Sequence, residues 1–221
     1  MALITWMNQL KGYGMSEINI RNPALVYIPK GVSVSESSSG LPKTVVIFGV
    51  PRGGTTMVAG VVQRLGVDLG EDLPVNLEDP AFNGKSIEEM LQSIFTRNRC
   101  KKLWGWKFPR ARSYLEDIQE YLVRPHYIIV WRDVLANATR LIGRGSSVIE
   151  ALNHAHTIQR KNIDVLDKLN GPCLLVSYEK AILNPEALAR QISKFIDVNA
   201  RLDIDELLSF SQPGTYKAVI A

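Results

Sequence analysis

Residues 44–57 read TVVIFGVPRGGTTM, and this stretch decides the fold of the chain. The β-branched run over residues 44–50 is typical of a buried parallel strand, and it stops at Pro51 and Gly53. A helix is predicted to follow from Thr55 to about Leu65. Because a glycine-rich turn between a strand and a helix brings backbone amides to an anion, the stretch predicts a phosphate-binding loop.

The side chains of this loop indicate which anion it binds. Gly53 and Gly54 can adopt positive φ, while Arg52, Thr55 and Thr56 add charge and hydroxyl donors. Against the Walker A pattern GxxxxGK[ST], Thr55 stands where the lysine belongs, and that lysine contacts the β and γ phosphates of a nucleoside triphosphate. A donor with one phosphosulfate linkage carries less charge there and suits a loop without lysine. A merely tight strand-to-helix turn is the alternative.

The rest of the chain alternates between predicted strands and helices. Ser86 and Glu89 form a capping box, and Asn184 with Pro185 marks another helix start. Further strands are predicted in KLWGWKF (102–108), HYIIVW (126–131) and CLLVSY (173–178), and further helices over residues 87–95, 110–123, 133–142, 148–169 and 186–196. This alternation predicts an α/β fold, a three-layer parallel β-sheet with helices on both faces.

Length and composition limit the organisation of the chain. The 221 residues, 46% of them hydrophobic, suit one α/β domain over residues 41–221, preceded by an appendage and linker over residues 1–40. A net charge of +4 does not favour nucleic-acid binding. No apolar run reaches the roughly 18 residues of a membrane span, and no secretory signal is evident, so we expect a cytoplasmic protein. Cys100 and Cys173 lack metal-ligand spacing, and no metal site is expected.

The loop resembles the phosphosulfate loop of the sulfotransferase family, which reads much like PRGGTTM or PKSGTTW after an apolar strand. Two other segments resemble the family: YIIVWRDVLANATR (127–140) and VSYEKAILNPEALARQISKFIDV (176–198). The resemblance implies a P-loop NTPase-like sulfotransferase fold. It also implies that the donor is 3′-phosphoadenosine 5′-phosphosulfate (PAPS), with adenosine 3′,5′-bisphosphate (PAP) as the product.

The resemblance assigns binding residues to both ends of this donor. Arg132, at a strand end, and Thr139 would hold the 3′-phosphate. Thr139 lies seven residues after Arg132, whereas the family hydroxyl commonly lies eight after the arginine, so Arg140 is an alternative. Another interpretation of Arg132 is a surface arginine paired with Asp133 or a different carboxylate. The 5′-phosphosulfate is assigned to Arg52, Gly53, Gly54, Thr55, Thr56 and Met57.

Sulfuryl transfer also needs a base near the acceptor and cations near the leaving phosphate. Arg52 and Lys107 are the candidate cations, and Lys107 lies in WGWKFPR, which resembles a Lys-x-Pro stretch of several sulfotransferases. No histidine precedes His126, so a carboxylate is favoured as the base, and Glu78 resembles the acidic position of other family branches. The alternatives are an ordinary solvated lysine and an exposed loop carboxylate.

Together these observations predict a sulfotransferase that moves a sulfuryl group to a hydroxyl or amine by in-line transfer without a metal. Two other hypotheses remain. One is a P-loop kinase or other NTP-dependent enzyme with a degenerate Walker A, for which Glu179 is the only acidic residue at a predicted strand end. The other is a non-catalytic nucleotide-binding module. The acceptor, whether a small molecule, a carbohydrate or a lipid, and the oligomeric state are not determined by the sequence.

Overall fold

A five-stranded sheet forms the centre of the fold. A computed structural model describes residues 25–29, 41–199 and 203–211 of the chain. The strands are β1 (Leu25–Ile28), β2 (Lys43–Gly49), β3 (Leu103–Lys107), β4 (Pro125–Trp131) and β5 (Cys173–Ser177). Their order is β1-β5-β4-β2-β3, in which β2 through β5 are parallel and β1 pairs antiparallel with β5. The predicted parallel sheet is confirmed, with one antiparallel strand added at its edge.

The helices lie on both faces of this sheet. Those in the described part of the chain are α1 (Thr55–Arg64), α2 (Ile87–Cys100), α3 (Leu115–Ile118), α4 (Val134–Ile142), α5 (Val148–Leu166), α6 (Tyr178–Ala181), α7 (Pro185–Phe195) and α8 (Ile204–Ser211). The capping box of Ser86 and Glu89 and the cap of Asn184 are both present. Over the residues described, no helix combines the length and the apolarity needed to cross a membrane.

Two hydrophobic clusters, one on each face, pack the helices against the sheet. On one face, Met57 of α1 and Ile192 of α7 pack in one cluster with Val45 and Ile128 of the strands. On the other face lies a second cluster. In it the ring of Phe82 stacks on those of Trp104 and Trp106, and Met90 and Ile94 of α2 belong to the same cluster. Burial of apolar side chains on both faces explains why the strands are nearly continuous apolar runs. The predicted three-layer architecture is therefore confirmed.

The helix predicted over residues 110–123 is wrong, because this stretch is broken into short turns. The indole Nε1 of Trp106 donates to the Tyr114 hydroxyl at 3.0 Å, and the Tyr114 ring stacks on Phe108. These contacts hold Tyr114 at φ −137° and ψ −4°, outside the helical region. The segment consists of a 3₁₀ turn at Ala111–Ser113, helix α3 and a second 3₁₀ turn at Gln119–Tyr121. Tertiary contacts have overridden a helical pattern.

One strand of the sheet comes from the predicted appendage. Leu25–Ile28 pairs with β5, with Leu25 opposite Val176. The apolar pattern of the sequence does not predict this strand, since a four-residue edge strand is too short to show alternation. Residues 1–24 and 30–40 of the appendage, including the linker, lie outside the described residues, and the domain division at residue 40 stays a prediction.

The start of β4 carries a group that should make stability depend on pH. Burial lowers the pKa of His126 to about 4; the Arg124 carbonyl, 2.9 Å from Nδ1, opposes this, while Lys43 and Arg124 charges reinforce it. The unfolded chain binds more protons between this value and about 6.5, so stability should fall as pH drops through that window, by up to ~3 kcal/mol. Urea unfolding at pH 7 and pH 4.5 measures the loss, which His126→Asn should lack. Equal losses in both proteins would contradict this prediction.

Candidate functional site

The candidate site lies at the carboxyl edge of the sheet, where β2 ends. Strand β2 has β3 on one side and β4 on the other, so the chain leaves it at the point where strand order reverses. Open α/β sheets bind their ligands in the crevice at this switch point. The loop formed by Val50, Pro51, Arg52, Gly53 and Gly54 occupies this position and leads directly into α1.

The loop is built around glycines that no other residue could replace without strain. Gly54, the N-cap of α1, has φ +90°, and an added Cβ there would lie 2.0 Å from Cδ2 of Tyr178. At Gly49, which has φ +147°, a Cβ would lie 2.1 Å from the Val130 carbonyl. The Gly53 N–H donates to the Val50 carbonyl at 2.8 Å and is used within the turn. The N–H groups of the first turn of α1, which lack partners inside the helix, are therefore the candidate donors for an anion.

Lys107, at the end of β3, is buried beside this loop. Its side chain is 2% exposed, and its Nζ lies 2.8 Å from the Asn76 carbonyl and 3.1 Å from Oε1 of Glu78. The same Asn76 carbonyl accepts a hydrogen bond from the Thr56 hydroxyl at 3.2 Å. Lys107 and Thr56 therefore meet at one carbonyl oxygen, and Glu78 joins them through its ion pair with Lys107. The alternative of an ordinary solvated lysine is wrong, since a lysine this buried needs hydrogen-bonding partners and has them.

The segment that carries Glu78 is fixed in place by its neighbours. The Asn76 side chain accepts a hydrogen bond from the Glu78 N–H at 3.2 Å, and Leu77 is buried in the core at φ +56°. Glu78 also forms an isolated parallel bridge with Lys107, so the segment extends the sheet beyond β3. The Glu78 side chain is 21% exposed, which leaves it partly accessible from solvent while it pairs with Lys107.

Arg132 follows β4 and contacts the loop from the other side. Its Nη1 donates to the Arg52 carbonyl at 2.6 Å, its Nε lies 3.6 Å from Oε1 of Glu179, and its guanidinium lies 5.2 Å from the centre of the Tyr178 ring. The side chain is 17% exposed. Asp133 instead caps α4 by accepting from the Ala136 N–H. The carboxylate that pairs with Arg132 is therefore Glu179 of α6, the short helix after β5, and not the neighbouring Asp133.

The remaining predicted binding residues differ in what they present to a ligand. Thr139 and Arg140 are exposed on α4, and the Thr139 hydroxyl donates to the Ala136 carbonyl of its own helix at 3.0 Å. Thr55 is buried at the start of α1. Met57 is fully buried in the core, so only its main chain can face a ligand. The binding roles of these four residues remain predictions.

Two asparagines near the loop were missed by the sequence analysis. Asn76 provides the carbonyl shared by Lys107 and Thr56, and Asn137 of α4 donates to the Pro51 carbonyl at 3.1 Å. The signal for Asn76 is its position two residues before Glu78, which is typical of an Asx turn. For Asn137 the signal is weaker. Asparagine is unfavourable inside a helix, so its presence there indicates that the side chain makes a contact of its own.

The acidic residue that an NTP-dependent enzyme would need at this edge is already paired. Glu179 accepts from the Asp133 N–H at 3.1 Å and lies beside Arg132. Across the described ranges, no three histidine, cysteine, aspartate or glutamate side chains lie close enough together to hold a metal ion.

The sheet order and the loop define an α/β protein with a P-loop-like fold, and comparison with solved structures specifies which P-loop-like fold it is. The sulfotransferase domain of the Synechococcus PCC 7002 olefin synthase aligns with a TM-score of 0.51 at 17% identity, over 85% of this chain and 83% of that domain. At this identity the likeness establishes the fold: the chain has the sulfotransferase fold. The resemblance found in the sequence is thus confirmed at that level.

Two other sulfotransferase structures align less closely. Mouse sulfotransferase SULT7A1 complexed with PAP gives a TM-score of 0.48 at 11% identity, over 79% of this chain and 66% of that one. A sulfotransferase from Alicyclobacillus acidocaldarius gives 0.46 at 13% identity, over 80% and 94%. No family model matches the sequence, and no curated protein matches it significantly.

Proposed function

We propose that this protein is a sulfotransferase that moves a sulfuryl group from PAPS to a hydroxyl or amine. The observation that carries the proposal is the 3.1 Å ion pair of Lys107 and Glu78 beside the first turn of α1. This pair places a cation and a carboxylate at the edge where a glycine loop without the Walker lysine leaves β2. Such an arrangement suits a transfer reaction in which the donor's transferred group needs one nearby cation and the acceptor needs a base.

The residues around the loop fit the two ends of PAPS. Because side chains are excluded at Gly49, Gly53 and Gly54, the backbone can approach a phosphosulfate closely. The N–H groups at the start of α1 and the exposed Arg52 side chain would bind the 5′-phosphosulfate. The Thr56 hydroxyl would join them by exchanging its hydrogen bond to the Asn76 carbonyl for one to the anion. Arg132 would bind the 3′-phosphate through N–H groups that the Arg52 carbonyl does not use, with Arg140 or Thr139 beside it.

Lys107 and Glu78 would divide the chemical work between them. When bound, PAPS supplies the sulfuryl group, whose bond to the phosphate oxygen breaks as a bond from sulfur to the acceptor oxygen or nitrogen forms. Lys107 would neutralise the charge that develops on the leaving phosphate. Glu78 would take the proton from the acceptor. We assign no metal to this site.

The structure favours this function over a P-loop kinase, because Glu179, the acidic residue on which that alternative depends, is paired with Arg132. A non-catalytic nucleotide-binding module would lack a use for the buried pair of Lys107 and Glu78, which is costly to bury. A hydroxyl or amine acceptor, a cytoplasmic location and the absence of nucleic-acid partners stay predictions from the sequence.

Calorimetric titration with PAP tests the proposed donor. The wild type should bind it, and Arg52→Ala should weaken binding by about ten- to a hundredfold, as expected for loss of a charge-assisted hydrogen bond to phosphate. Arg190→Ala, which removes an exposed arginine of α7, is the control and should bind as the wild type does. A wild type that binds magnesium ATP but not PAP would overturn the proposal, and transfer of ³⁵S from PAPS to a panel of acceptors would identify the acceptor class.

A further inference from the structure

Two side chains from the segment after β4 hold consecutive carbonyl groups of the loop. Arg132 Nη1 donates to the Arg52 carbonyl at 2.6 Å, and Asn137 Nδ2 donates to the Pro51 carbonyl at 3.1 Å. The two donors come from positions five residues apart, the first before α4 and the second on it. Both bonds span more than 75 residues of sequence, so they are tertiary contacts and not part of the turn itself.

The loop needs such contacts because its backbone is strained. Arg52 has φ +63°, a left-handed conformation that a residue with a Cβ rarely adopts, and Gly54 two residues later has φ +90°. A conformation of this kind persists only where its surroundings impose it. The bonds to the carbonyls of Pro51 and Arg52 lie on either side of the strained residue and hold the peptide groups that set its φ and ψ.

The two donors are themselves fixed in place. The Arg132 carbonyl accepts from Nε2 of Gln159 of α5 at 2.5 Å, and the Asp133 N–H donates to Glu179 at 3.1 Å. The Asn137 side chain is buried at 6% exposure, in the turn of α4 that Asp133 caps. A donor anchored to α5 and to α6 can resist displacement of the loop, whereas a free surface side chain could not.

We propose that Asn137 is a positioning residue for nucleotide binding, and that Arg132 has a second role in holding the loop besides contacting the 3′-phosphate. This inference rests on the proposed function, because it concerns the same loop. It assigns to Asn137 no contact with the nucleotide. Asn137 and Arg132 hold the loop in the conformation that binds the 5′ end, so the 5′ site depends on residues that follow β4.

Binding of two nucleotides separates this role from a direct contact. PAP carries the 3′-phosphate, whereas AMP lacks it. Asn137→Ala and the similarly sized Asn137→Leu should weaken AMP and PAP by the same factor, about tenfold for loss of one buried hydrogen bond to the loop. Arg132→Ala should weaken PAP most but should also weaken AMP severalfold. If Arg132 were only a 3′-phosphate ligand, it would leave AMP binding unchanged.

Asn170→Ala provides the matched control. Asn170 also donates from its side-chain amide to a backbone carbonyl at 3.1 Å, that of Gln119, but it lies just before β5 at the opposite edge of the sheet. It should lower stability at least as much as Asn137→Ala and leave both affinities unchanged. A second measurement needs no nucleotide: the rate of tryptic cleavage after the exposed Arg52, followed by mass spectrometry, should rise in both Asn137 variants but not in Asn170→Ala.

The outcomes distinguish this inference from the proposed function. Parallel losses of AMP and PAP affinity together with faster cleavage at Arg52 would support the positioning role. Unchanged affinities and cleavage in the Asn137 variants, with a wild type that binds PAP, would overturn the inference and leave the proposed function standing. A wild type that binds neither nucleotide would overturn both.

Discussion

Replacing Lys107 by methionine is expected to lower kcat/KM for sulfuryl transfer by about a thousandfold, the size of loss seen when a preorganised donor to a developing charge is removed. The side chain is 2% exposed and ends 3.1 Å from Glu78, so no other cation can take its place without rearrangement. Methionine retains most of the buried volume. Because the proposed PAP contacts come from the loop and Arg132, we expect PAP affinity to change far less than turnover.

The chain contains a matched control for this prediction. Lys43 is also buried, and its Nζ donates to the Ile196 carbonyl, but it opens β2 at the opposite edge of the sheet. Lys43→Met therefore loses a buried ammonium, as Lys107→Met does. Unlike Lys107→Met, it should retain sulfuryl-transfer activity. Glu78→Gln should also lose activity, because the amide cannot take the proton from the acceptor. If Lys107→Met retained activity as Lys43→Met does, Lys107 would have no role in catalysis.

Gly54→Ala is expected to lower the free energy of unfolding by about 3 kcal/mol or more and to abolish PAP binding. Two costs add: a left-handed φ of +90°, and a Cβ that would lie 2.0 Å from Cδ2 of Tyr178. Tyr178 is itself buried against the loop, so the ring cannot move aside without displacing Arg132, which packs over it. Urea unfolding and calorimetric titration with PAP measure the two effects.

A second glycine isolates the steric part of this effect. Gly145 has φ +99° but no atom within 4 Å of the position of an added Cβ. Gly145→Ala should therefore show only the conformational cost of about 1–2 kcal/mol and unchanged PAP binding. The double change Gly54→Ala with Tyr178→Ala should recover part of the stability by removing the clash. Equal losses of stability for Gly54→Ala and Gly145→Ala would contradict this account of the loop.

The sequence predicted the candidate site unevenly. The loop from Gly49 to Thr56 was identifiable because its chemistry is local: a strand, a turn that needs glycine and a helix N-terminus are adjacent in the chain. Lys107 and Glu78 were proposed individually by resemblance, but their contact was not foreseen. Phe95 of α2 is nearly half exposed and contacts Tyr121 edge to face, although helical spacing places it on the apolar side of α2.

Local sequence alone predicted the parallel core of the sheet, most of its helices and the glycine-rich turn after β2, because apolar periodicity, caps and glycines act within a few residues of one another. Only the tertiary structure decided which groups meet at the edge of β2. Lys107 reaches Asn76 and Glu78 across 31 and 29 residues, and Asn137 reaches Pro51 across 86. Such contacts follow from which strands become neighbours, and that order depends on how the helices bury their apolar faces on the two sides of the sheet.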